Sequence, residues 1–149
     1  KIPKGSNVFL SFGEIDCRID EGLISAARKN KNNLIKLVEK TVKGFLLWFV
    51  KQNMQWRHSL YFLNVPAPIY QHELTYESNQ QVAKVIQLFN DALKQYLCKH
   101  PANLVDVYKY TKDDNGYSTG EFHLDRYHLK KGMIKKIEQE IQLLALSEN

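Results

Sequence analysis

The sequence predicts an α/β fold, three layers deep (α/β/α), with helices on both faces of a short parallel sheet. Three observations lead there. Compact β-type runs alternate with long stretches of helical periodicity. The runs are apolar enough to be buried on both faces, and the segments between them are long enough for parallel, right-handed crossovers. With 149 residues, 44% of them hydrophobic and 11% aromatic, the chain can bury one substantial core. No repeat, low-complexity tract or linker interrupts it, so residues 1–149 read as a single domain.

The first β run, NVFLSFG (7–13), is compact, apolar and ended by a glycine. EGLISAARKNKN (21–32) reads as a short helix followed by a polar break. From Asn32 the spacing becomes helical, with Leu34, Leu37, Val38, Val42, Phe45 and Phe49 at three- and four-residue steps. Gly44 within that stretch costs about 1 kcal/mol relative to alanine, which implies a close-packing reason for it. SLYFLNVPAP (59–68) is the second strand, stopped at Pro66, which has no N–H to give a ladder.

Ser78 or Asn79 is expected to cap the second long helix, striped by Val82, Val85, Ile86, Phe89, Leu93 and Leu97. NLVDVYKY (103–110) is the third strand and TKDDNGYSTG (111–120) a turn-rich loop. Met133, Ile137, Ile141 and Leu144 share one face of a final helix. We expect residues 8–12, 60–65 and 104–108 to pair as parallel strands. Trp48 and Trp56 are read as core and helix-end packing.

Composition narrows the partners. The formal charge is +5, but the lysines are interspersed with acidic residues, the pattern of solvated helix faces rather than a nucleic-acid groove. The longest apolar run, GFLLWFV (44–50), falls far short of the ~20 residues that span a bilayer. We therefore expect neither a nucleic-acid nor a membrane partner. Cys17 and Cys98 lie far apart without metal-ligand spacing and are read as reduced and structural, a single disulfide being the alternative. The chain shows no signal peptide, so the expected location is the cytoplasm. It opens KIPKGSN without an initiator methionine, as a piece of something longer would.

Ligands of open α/β sheets bind at the carboxyl ends of the strands. The segments leaving those ends are GEIDCR (13–18), VPAPIYQHE (65–73) and the loop leading into FHLDRYHLKKG (122–132). The last gathers His123, Asp125 and His128, and three readings of it stand side by side. The three side chains are a candidate metal set. Asp125 is a candidate helix cap, with the histidines packing or solvated. Or Asp125 and His128, one turn apart, form a pair in which the carboxylate holds Nδ1–H and leaves Nε2 free to take a proton. Arg18 is placed to bind a substrate carboxylate or, more simply, to pair with Asp16 or Asp20. Cys17 is a potential nucleophile only if its thiol pKa is lowered.

LSFGEIDCR after the first strand, FLNVPAP at the end of the second, LVDVY as the third and FHLDRYHLKKG before the last helix together resemble the second half of an SGNH/GDSL hydrolase. The resemblance implies part of a flavodoxin-like sheet and a serine esterase or acyl hydrolase of small O-acyl esters or acylated carbohydrate. It implies no metal or organic cofactor. Asp125 and His128 would be the catalytic pair. Gly13, Glu14, Ile15 and Asp16 would line the oxyanion side, with Arg18 beside them. Two departures accompany it. The family's Gly-Asp-Ser block and its second-block glycine precede the GEID turn and have no counterpart here. Ile15 stands where the family has an oxyanion asparagine, and isoleucine donates no hydrogen bond. A chain lacking those first blocks is inactive alone and leaves one sheet edge unprotected, to be paired with another chain or a missing N-terminal segment. The rival expectation is a non-catalytic binding or scaffold domain on a degenerate hydrolase fold.

Overall fold

A computed structural model describes residues 2–147. Three parallel strands form the sheet in the order β1 (Asn7–Ser11), β2 (Ser59–Leu63), β3 (Asn103–Val105). Leu10, Phe62 and Leu104 stand in register, as do Ser11, Leu63 and Val105. Between β1 and β2 the chain forms α1 (Leu23–Asn30) and α2 (Leu34–Trp56), and between β2 and β3 it forms α3 (Tyr76–Leu97). A short α4 (Tyr108–Thr111) and α5 (Gly132–Ser147) follow.

Alternation along the strands divides the sheet between two cores. Leu60 and Phe62 face α2 and α3, where Val38, Val42, Leu46, Val85, Phe89 and Leu93 are buried. On the other side Tyr61, Leu63 and Val105 meet Met133, Ile137 and Ile141 of α5. The expected three layers are present, and the stripe read for α3 packs in full; along α2, Leu46 is fully buried although the stripe omitted it, and Phe45 is 38% exposed. Glu140 anchors α5 to α4, accepting from Lys109 Nζ and Tyr110 Oη, each at 2.5 Å.

Several local expectations are corrected. The second strand ends at Leu63, before Pro66, because Asn90 of α3 takes both backbone groups of Val65. The third strand stops at Val105 and does not reach Tyr110. Asn64 and Asp106 side chains accept the Tyr108 and Lys109 N–H groups and turn the backbone into α4. Thr75 caps α3, accepting from Ser78 N–H, so the cap precedes Ser78 and Asn79. Trp48 is 57% exposed instead of lying in the core, although it stands edge-on to Phe49. Gly44 has nothing within 4 Å of where a Cβ would stand, so close packing does not explain it.

β1 is an edge strand. Its outer side carries no partner strand among the described residues, and Phe9 on it is 48% exposed while stacking on Tyr61. No described helix is long and apolar enough to cross a membrane.

Candidate functional site

All three strands point their carboxyl ends at one edge, and three connections meet there. The β1 connection begins at Gly13, whose φ of +98° turns the chain where a Cβ would lie 2.4 Å from Phe89 Cε1. A 3-10 turn over Ile15–Cys17 follows. It brings Arg18 back onto Glu14 in a two-pronged contact, Nε to Oε1 at 2.9 Å and Nη2 to Oε2 at 2.8 Å, while Nη1 reaches Glu21. The expected Arg18 partners, Asp16 and Asp20, are therefore replaced by Glu14 and Glu21, one helical turn away on either side. The Glu14 hydrogen bonds raise the Arg18 pKa further, so the guanidinium is permanently charged.

The β2 connection is held by buried side chains. Asn90 pairs with both Val65 N–H and Val65 C=O, and Thr111 Oγ1 accepts from Ala67 N–H at 2.9 Å. Asn79 does the same for Gln71, accepting from its N–H and donating to its C=O, each at 2.9 Å.

The β3 connection returns over this edge. Ser118 N–H donates to Pro68 C=O at 2.8 Å. A single β-bridge between His123 and Leu129 then closes a narrow loop. At its tip Asp125 Oδ1 accepts from the Tyr127 and His128 N–H groups, both at 2.8 Å, and Oδ2 accepts from His128 Nδ1–H at 2.8 Å. Asp125 thus caps its own tight turn; the final helix starts later, at Gly132, and the helix-cap reading is corrected. Tyr127 N–H, the His128 ring and His128 N–H together hold the Asp125 pKa down at about 2.

The Asp125–His128 pair is consequently formed, but it faces outward, with side chains 51% and 72% exposed. Its neighbours Arg126 and Tyr127 are themselves part-exposed. They line a cavity of about 370 Å³ together with Glu14 and Arg18 from the β1 side and Val65 and Ala67 from the β2 side. Gly13, Glu14 and Arg18 are thereby brought to the same edge as the pair. Ile15, 61% exposed, and Asp16 do not line the cavity. Cys17 is buried, and burial, then the Asp16 and Glu14 carboxylates, push its thiol pKa well up, which makes it a poor nucleophile. Cys17 and Cys98 are both free thiols.

His123, Asp125 and His128 do not converge as ligands, and no group of three potential metal ligands occurs among the described residues. His123 goes the other way: it is 4% exposed, lines the cavity, and has Nδ1 2.7 Å from Ser118 Oγ. Sequence reading passed over the Ser118–His123 contact and the cavity roles of Arg126 and Tyr127. Ser118 and His123 lie five positions apart across a turn, and no periodicity marks such a contact.

No family model matches the chain, and no curated protein does. Solved structures do match. A candidate platelet activating factor from Streptococcus pneumonia superposes with a TM-score of 0.57 over 92% of this chain, at 14% identity. The OSK domain of Drosophila Oskar superposes with a TM-score of 0.54 over 96% of it, also at 14% identity. The chain spans 58% and 63% of those two chains. At that identity the likeness is one of fold, and the fold is SGNH-like: a three-stranded parallel sheet flanked by helices.

Proposed function

We propose that this chain carries the acid–base half of an SGNH-type ester hydrolase acting on small O-acyl esters or acylated carbohydrate. The observation that carries the reading is the Asp125–His128 pair. Its Nδ1–H is held at 2.8 Å by the carboxylate, Nε2 is left available, and the pair stands at the carboxyl edge of a parallel sheet beside a cavity. In this reading the attacking serine comes from a strand outside these residues that pairs with the free side of β1. The unpaired edge and the half-exposed Phe9 support that placement.

The chemistry then runs through His128. Its Nε2 takes the serine proton as the oxygen attacks the ester carbonyl, and Asp125 stabilises the imidazolium. His128 returns that proton to the departing alkoxide, leaving an acyl-serine, and water activated by the same nitrogen releases the acid. The Ile15 side chain supplies no donor to the oxyanion, and one such donor is worth about 10²–10³ in rate.

The test compares the 149-residue chain with a longer natural version carrying an upstream serine. The longer protein should hydrolyse p-nitrophenyl acetate and be labelled by a fluorophosphonate, and His128→Ala should abolish both. The 149-residue chain should do neither. Labelling of the short chain at one of its own serines would overturn the missing-nucleophile argument. A second reading, a binding or scaffold domain that kept the fold, is favoured by the outward-facing pair and the exposed Ile15. A longer protein that contains the serine, folds and stays inert selects it.

A further inference from the structure

Ser118 sits at a junction of two hydrogen bonds. Its Oγ accepts from Gly120 N–H at 3.0 Å and lies 2.7 Å from His123 Nδ1. Its own hydroxyl proton can be given to the Nδ1 lone pair. Donation there uses all three groups, whereas the reverse arrangement leaves the hydroxyl proton to whatever solvent reaches this part-buried place. This arrangement favours the neutral ring with its proton on Nε2. Burial lowers the His123 pKa and keeps the ring neutral.

No protein group pairs with Nε2 among the described residues, yet it is not left sealed without a partner. Among the described residues, the buried side-chain nitrogen or oxygen in that condition is His58 Nδ1. Nε2 therefore reaches open space. The cavity is lined by His123 and not by Ser118, so it is the open space that adjoins this residue.

The remainder of the lining defines what could meet this N–H. Val65, Ala67, Val82 and Ile86 form an apolar floor. Both lining arginines are already engaged, Arg18 with Glu14 and Glu21, Arg126 with Glu73 and Gln71. Asp20 adds a further carboxylate, so four acidic residues face two arginines and an anion is disfavoured. The volume, about 370 Å³, lies within the roughly 300–1,000 Å³ of small-molecule sites.

We propose that this cavity binds a small uncharged carbonyl compound, an ester or amide with an apolar substituent, whose oxygen accepts from His123 Nε2–H while the substituent rests on the Val65–Ala67 side. In the hydrolase reading this is where a substrate carbonyl is recognised. The inference itself rests on Ser118, His123 and the cavity, and it holds for a non-catalytic domain as well.

The test uses the 149-residue chain with ¹⁵N-labelled histidine, and acetanilide, an amide that the proposed chemistry does not consume. Without ligand, Nε2 of His123 should show the protonated signature and Nδ1 the bare one. Acetanilide should shift the Nε2 resonance saturably, and phenylacetate, similar in size but anionic, should bind at least tenfold more weakly. His123→Gln keeps a donor near the same place and should stay within about threefold of the parent, whereas His123→Phe should lose binding fivefold or more. If the Phe variant does not fold, Ser118→Ala replaces it: part of the His123 population should move its proton to Nδ1, and acetanilide affinity should fall with it. A proton on Nδ1 in the parent, a non-saturating shift, or equal binding of phenylacetate overturns the proposal. Ester turnover and fluorophosphonate labelling of the longer protein are separate readouts, so the failure of one reading is distinguishable from that of the other.

Discussion

The Arg18 guanidinium stands 4.1 Å from the centroid of the Tyr127 ring. This contact joins the turn leaving β1 to the tip that carries Asp125 and His128, two segments more than a hundred residues apart in sequence. Glu14 and Glu21 fix the guanidinium, and Tyr127 N–H is itself bonded to Asp125 Oδ1. The cation–π contact therefore helps to hold the Asp–His pair in place against the sheet.

Arg18→Ala should loosen that tip. Backbone amides of residues 124–128 should exchange with deuterium faster than in the parent, while amides of α2 and α3 keep their protection. Arg18→Lys should not restore the parent rate, because an ammonium cannot reproduce the planar two-pronged contact with Glu14. Peptide-resolved exchange mass spectrometry reads both variants, and an unchanged rate in Arg18→Ala would remove the contact from the account.

Acid should open the same tip in a defined window. The folded Asp125 carboxyl titrates at about 2 against an ordinary value of 3.8. Because the folded value is the lower one, the associated stabilisation is present above about pH 4 and is lost as the pH falls toward 2. The ¹³C carboxyl shift of Asp125 and the amide shifts of Tyr127 and His128 should share one midpoint near the lower value. A midpoint at the ordinary carboxylate value would mean that the turn is open in solution.

What could be read in the sequence depended on how local the cause was. The stripes of α2 and α3 and the compact runs of β1 and β2 are written in neighbouring residues, so their existence and packing sides were legible. Asp125 and His128 were legible as a pair because both ends of the bond lie in one turn. NLVDVYKY alternates like a strand, but Asn64, far away in sequence, captures the Tyr108 N–H and ends β3 at Val105. Arg18 on Tyr127 and Ser118 on His123 depend on how the β3 connection folds back over the sheet edge. Spacing along the chain carries no record of that return.

Asn90 makes a further prediction because it is buried and bonded at both ends to one residue, Val65. Asn90→Ala orphans a backbone donor and a backbone acceptor at once. Each orphan costs about 1–3 kcal/mol, so a loss of about 3 kcal/mol is expected in urea unfolding. Asn90→Asp should be no better than alanine, since a carboxylate accepts from Val65 N–H but faces Val65 C=O with a second acceptor.

Gly13→Ala should be a damaging small change at the site edge. Two effects act together: φ of +98° is strained for any L side chain, and the added Cβ would stand 2.4 and 2.5 Å from Phe89 Cε1 and Cζ. Phe89 has little room to yield, being fully buried with its ring centroid 5.9 Å from that of Phe12. Overpacking and backbone strain each cost about 1–3 kcal/mol, so a combined loss of about 3 kcal/mol is expected. The two effects can be separated by a double-mutant cycle with Phe89→Leu, which removes the colliding ring atoms and leaves φ unchanged. Coupling of about 1 kcal/mol or more would assign that share to the collision, and additivity would assign the whole loss to the backbone.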